Sequence, residues 1–155
     1  MPKINSPLFR FRMLGLGLLA LTCTLLPACG PTEENVPLLP VSGKVLNSGS
    51  PMPIGQVMFY PDQAKGNSTT KVPSGMIQAD GSYSLTTGTS KGVKDGAPAG
   101  WYKVTVSAAG TGTPEQMKVK PAFYNPDFKN AKLTKLSIEV KEGAGPKDYE
   151  IKLTP

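Results

Sequence analysis

The chain contains no histidine, so it lacks the imidazole that activates serine or cysteine nucleophiles, ligates zinc or haem, and shuttles protons near neutral pH. What remains for catalysis is thin. Ser107 and Lys103 share one face of the run Trp101 to Ser107, but a serine–lysine pair acts only when both groups are held together, and nothing in this spacing does that. Asp62, Asp80, Asp95, Asp127 and Asp148 lie too far apart for a calcium loop. Asp80 and Asp95 each precede a glycine, where a carboxylate ordinarily caps its own turn. Asn67-Ser68-Thr69 fits the N-glycosylation pattern, a short pattern with many chance matches. The chain therefore reads as non-catalytic, with no cofactor and no metal. The side chains best suited to hold a ligand are Trp101 and Tyr124, with Tyr60, Tyr102 and Phe123 as companions, because aromatic rings stack on sugar rings or line a peptide groove.

One residue has a chemistry of its own. Lys3, Arg10 and Arg12 precede the uncharged, leucine-rich run Met13 to Leu26, which is the order of a secretory signal. That run is shorter than the roughly 20 apolar residues a membrane-spanning helix needs. Leu26-Pro27-Ala28-Cys29 then resembles a bacterial lipobox, in which the cysteine is acylated and becomes the new N-terminus; Pro27 departs from the usual residue there. Residues 1–28 are expected to be a removable signal, and Cys29 the lipid attachment site. Two or three acyl chains hold a protein durably on a membrane where one gives only marginal binding. Cys23, the other cysteine, is a poorer cleavage point because Thr22 precedes it.

Removal of residues 1–28 lowers the formal charge from +6 to +3, since that segment holds Lys3, Arg10 and Arg12 and no acid. All remaining cations are lysines, scattered from Lys44 to Lys152. Without arginine for bidentate contacts and without a basic cluster, nucleic acid is excluded as a partner. The expected partners are a membrane, through the N-terminal lipid, and an envelope protein or glycan.

The elements that must position these residues are strands. Residues 30–40, with Pro31, Pro37 and Pro40 and no apolar period, are expected to form an extended linker. Beyond it apolar and polar residues alternate with period two. The alternation predicts strands at Val41–Leu46, Gln56–Tyr60, Gly75–Gln78, Ser82–Thr86, Trp101–Ser107, Leu136–Lys141 and Tyr149–Leu153. Asp80-Gly81 is expected to form a type I′ hairpin turn. Seven antiparallel strands across residues 41–155 predict an all-β, two-sheet sandwich. Two long connections, Pro61–Ser74 and Ala108–Thr134, are where specificity would sit.

Val41-Ser42-Gly43-Lys44-Val45, the run Pro51 to Pro61, Ala79-Asp80-Gly81-Ser82-Tyr83, the run Asp95 to Val106, and Pro121-Ala122-Phe123-Tyr124-Asn125-Pro126 followed by Leu136 to Val140 together resemble the small carboxypeptidase regulatory-like, or transthyretin-like, lipoproteins of planctomycete bacteria. The resemblance covers residues 41–153, with Gly110–Lys120 individual to this chain. It implies a seven-stranded prealbumin-like sandwich that is exported and non-enzymatic, of a kind with no firm molecular function assigned; the role expected here is a structural, adhesion or scaffolding one in the cell envelope. The alternative is a glycan- or peptide-binding module using Trp101 and the 108–134 loop.

Overall fold

The computed structural model describes residues 36–108 and 124–155. Cys29, the signal segment, the start of the linker, Phe123 and the middle of the 108–134 loop lie outside the described residues. Strands β1 (Leu38–Leu39), β2 (Ser42–Asn47), β3 (Ser50–Pro51), β4 (Gly55–Pro61), β5 (Ser74–Ile77) and β6 (Ser82–Ser84) are followed by β7 (Thr86–Thr89), β8 (Gly92–Asp95), β9 (Ala97–Pro98), β10 (Gly100–Ser107), β11 (Ser137–Val140) and β12 (Ile151–Leu153). Among the described residues there is no α-helix, only two short 3₁₀ turns at Gln63–Lys65 and Pro126–Lys129.

The protein is all-β and sandwich-like. One sheet runs β11-β10-β4-β5-β7-β8; the other runs β12-β2-β3, with β6 also paired to β2. Alternation along β4 and β10 turns Val57, Phe59, Tyr102, Val104 and Val106 inward, all fully buried. Val45, Tyr83, Ile151 and Leu153 fill the same core from the smaller sheet. Phe59 touches both layers, its ring centroid 6.4 Å from Tyr83 and 5.7 Å from Tyr102 in tilted geometries. Burying such a side chain contributes about 1.5–3 kcal/mol.

The core contains phenols, and each inward hydroxyl is satisfied by backbone where a strand ends. Tyr83 donates to Tyr149 O at 2.7 Å and Tyr102 to Pro98 O at 2.8 Å. Burial pushes both phenols above their ordinary pKa; the neighbouring Tyr149 adds to the rise at Tyr83, and the Asn67 side chain opposes it at Tyr102. Gly43 sits where β2 meets the approach to β12. A Cβ there would lie 2.3 Å from Tyr149 O, so a larger residue would force the two segments apart.

Several details depart from the sequence reading. The seven strands expected are joined by short ones, and β12 pairs with β2 in parallel, because the chain crosses from β11 in one sheet to β12 in the other without a tight hairpin. The Ser82–Thr86 run breaks at the buried Leu85, whose N–H donates to Val41 O and whose carbonyl accepts from Gly96 N, as the chain passes from the small sheet to the large one. Leu38 and Leu39, read as linker, pair with Pro98 and Ala97. The type I′ turn lies at Ser48-Gly49, where both residues have positive φ (49° and 83°) between the paired Asn47 and Ser50. At Asp80-Gly81 only Gly81 is positive, at 81°, and Gly81 N donates to Gln78 O while Gln78 N donates to Ser82 O. That is a three-residue connection closed by a left-handed glycine.

Candidate functional site

Trp101 stands at the start of β10 and points away from the core, as alternation with Tyr102 requires. It walls a cleft of about 510 Å³ together with Lys65, Asn67, Ser68, Thr69 and Thr70 from the Pro61–Ser74 connection, and with Val36 and Gly100. That volume lies within the usual range for small-ligand sites, roughly 300–1,000 Å³.

The connection is shaped by backbone chemistry. Asp62 O accepts from Lys65 N and Asn67 N, and Gly66, at φ 82°, reverses the chain after the 3₁₀ turn. Asn67 is buried and ties the connection to β10, donating from Nδ2 to Trp101 O at 2.9 Å and accepting from Thr69 N at 3.2 Å. Both ends of its amide are used, so Asn67 is a structural clamp and the glycosylation pattern it heads marks a turn. Gly100 makes room for the clamp: its φ is +138°, and a Cβ there would lie 2.9 Å from the Asn67 side chain.

Lys65 is held at the cleft wall. Its Nζ lies 3.9 Å from the Trp101 ring centroid and donates to Ser137 Oγ at 2.8 Å. A cation over an indole face is worth about 0.5–1 kcal/mol at an exposed site. Trp101 pairs in register with Glu139 and Lys103 with Ser137. The outer face of β10 and β11 thus carries Lys103 beside the hydroxyl that anchors Lys65, and Glu139 has its carboxylate 3.5 Å from Lys141 Nζ.

The two aromatics selected from the sequence are not brought together. Tyr124 is 5% exposed and belongs to the core at the far end of β10. Its hydroxyl donates to Val106 O and accepts from Ala108 N, both at 3.0 Å. Val106 is five residues from Trp101, about 17 Å along a strand. Burial raises the Tyr124 phenol above its ordinary pKa, opposed by the Ala108 N–H. Tyr60 is half-buried on the outer face, opposite Lys103.

The described connection over Trp101 is the first of the two long ones, so Lys65 and Asn67 are the site residues that the sequence reading missed. Their signal was a polar turn followed by glycine at Lys65-Gly66-Asn67. Ser68-Thr69-Thr70-Lys71 also has the S-x-x-K spacing, which the sequence reading passed over. That spacing joins serine and lysine on one face only in a helix; residues 68–71 are not helical, and Ser68 lines the cleft while Lys71 does not. Among the described residues no three acidic or cysteine side chains gather as a metal site, and no helix is long and apolar enough to cross a membrane. Comparison of the chain with protein-family models, with curated proteins and with solved structures gave no match.

Proposed function

We propose that the protein is an exported lipoprotein of the cell envelope, held to a membrane through Cys29 and facing the periplasm or exterior, and that its sandwich is a non-catalytic module that holds envelope glycan at the Trp101 cleft. The cleft carries this reading. Its walls pair an indole with hydroxyls from Ser68, Thr69 and Thr70, the mixture of apolar ring and short polar groups that suits a sugar. The lipobox-like Leu26-Pro27-Ala28-Cys29 supports the anchor, and the resemblance to transthyretin-like lipoproteins supports both export and the absence of catalysis. On this reading residues 41–155 are a transthyretin-like domain whose work is adhesion or scaffolding.

A purely structural role is favoured by one observation, that Lys65 already lies on the indole. The two readings separate in a direct experiment. Trp101 is the chain's one tryptophan, so emission from the full chain in detergent reports the cleft alone. Titration with fragments of envelope polysaccharide is expected to shift that emission saturably; the absence of any shift across the fragments would leave the structural role. Separately, Cys29→Ala is expected to release the protein from the membrane fraction, and unchanged fractionation would reject the lipid anchor.

A further inference from the structure

The charge around the cleft narrows the kind of sugar. Among the described residues that line it, Lys65 is a cation and none is an acid. Of the described carboxylates close by in the fold, Glu139, opposite Trp101 in register, is paired to Lys141, and Asp62 is buried; neither forms an ion pair with Lys65. Lys103, on the same outer face, stands opposite Ser137, the residue whose hydroxyl receives Lys65. The outer face that holds the Lys65 ammonium therefore carries a second lysine, Lys103, on the strand beside Ser137.

Lys65 is also held in place. An ammonium has three N–H donors and no acceptor. One donates to Ser137 Oγ, and the group lies 3.9 Å from the Trp101 ring centroid. That leaves donor capacity at a point fixed by the ring and the serine, so a ligand acceptor meets a cation whose ordering entropy is already spent. With the ammonium on one indole face, a neutral sugar loses stacking area there, whereas a negatively charged group gains a charge-assisted hydrogen bond.

We propose that the cleft is a subsite for an acidic sugar, in which the Lys65 ammonium receives a uronate carboxylate while Ser68, Thr69 and Thr70 face the ring hydroxyls. This inference rests on the glycan reading above. It is tested with the full chain in detergent by Trp101 emission and calorimetry, using as probes tri-galacturonate, its methyl ester, a neutral trigalactose and a hexa-aspartate peptide. The uronate is expected to bind about tenfold more tightly than its methyl ester, a difference of the size expected of one charge-assisted hydrogen bond. The preference is expected to fall as salt rises, to vanish in Lys65→Gln and to return in Lys65→Arg. Equal binding of uronate, ester and neutral sugar would overturn the acidic subsite and leave the glycan reading standing. Binding of hexa-aspartate as tight as that of the uronate would overturn both in favour of an acidic peptide, and binding of no probe would overturn both outright. A preference for uronate retained in Lys65→Gln would overturn the role of Lys65.

Discussion

Trp101 at the near end of β10 and Tyr124, packed against its far end, are both aromatic candidates in the sequence, and the fold treats them oppositely. At the far end Tyr124 lies in the core with its hydroxyl bonded to Val106 O and Ala108 N. At the near end Trp101 is half-buried, with Lys65 on its ring and a cleft beside it. A hydroxyl that can both donate and accept is suited to close a strand end, whereas an indole N–H can only donate. The amphipathic aromatic that can complete the backbone accounting is absorbed by the core, and the other stays half-buried at the surface.

The largest effect that would break this contrast is on stability. Tyr124→Ala is expected to cost about 3–5 kcal/mol, the range for losing a buried aromatic, against about 1 kcal/mol for Trp101→Ala. Urea unfolding of the two variants measures both. Equal losses would mean that Trp101 is as structural as Tyr124. Next, Gly100→Ala at the near end is expected to cost about 1–3 kcal/mol through its positive φ. It would also perturb Trp101 emission, because the new Cβ displaces the Asn67 clamp. Tyr124→Phe, which keeps the ring and removes the hydroxyl, is expected to cost about 1–2 kcal/mol by leaving Ala108 N and Val106 O without that partner. Its Trp101 emission should match the parent's.

These effects show which features were legible in advance. Tyr102, Val104 and Val106 alternate with polar residues, and so do Val57 and Phe59; each such run had to bury one face, and each does. The β7–β8 hairpin was invisible for the converse reason. Thr86 to Asp95 offers Val93 as its one large apolar residue, and Val93 is 72% exposed. The one buried side chain of this hairpin is the polar Thr87, so the hairpin leaves no apolar period, and its threonines signal only a preference for extended backbone. The cleft was half legible. Alternation placed Trp101 outward, but which connection would cover it depends on Asn67 reaching Trp101 O across 34 positions of sequence, and side-chain spacing does not encode that reach.

The pH dependence sharpens the contrast with a smaller effect. Burial raises the pKa of Tyr83, Tyr102 and Tyr124 in the fold, so the native state keeps its phenol protons while the unfolded chain releases them near pH 10. The stability these groups contribute is fully present below the ordinary phenol pKa and is lost as pH rises through and beyond it. Asp80 shifts the other way. The Ser82 hydroxyl, and then the Ser82 N–H, lower its carboxyl pKa, so its fully exposed contribution is present above the usual carboxylate range and fades in acid. With no histidine, melting temperature is expected to be flat between about pH 5 and pH 8 and to fall above about pH 10. A titration in the neutral range would break this account.

The smallest expected change in stability belongs to Lys65→Met, and it tests most directly what the near end is for. The substitution keeps most of the side chain's apolar length while removing its charge, its bond to Ser137 Oγ and its cation–π contact. An exposed pair of such contacts is worth about 1 kcal/mol or less, so unfolding should barely move. Trp101 emission should nonetheless change, because a charge 3.9 Å from the ring centroid shifts the energy of an excited indole. A variant that melts several degrees lower would make Lys65 a structural strut, and the near end would then resemble the far one. A variant of parental stability with altered emission would mean that Lys65 is held against Trp101 at almost no gain to the fold, which is the arrangement expected of a side chain kept for a ligand.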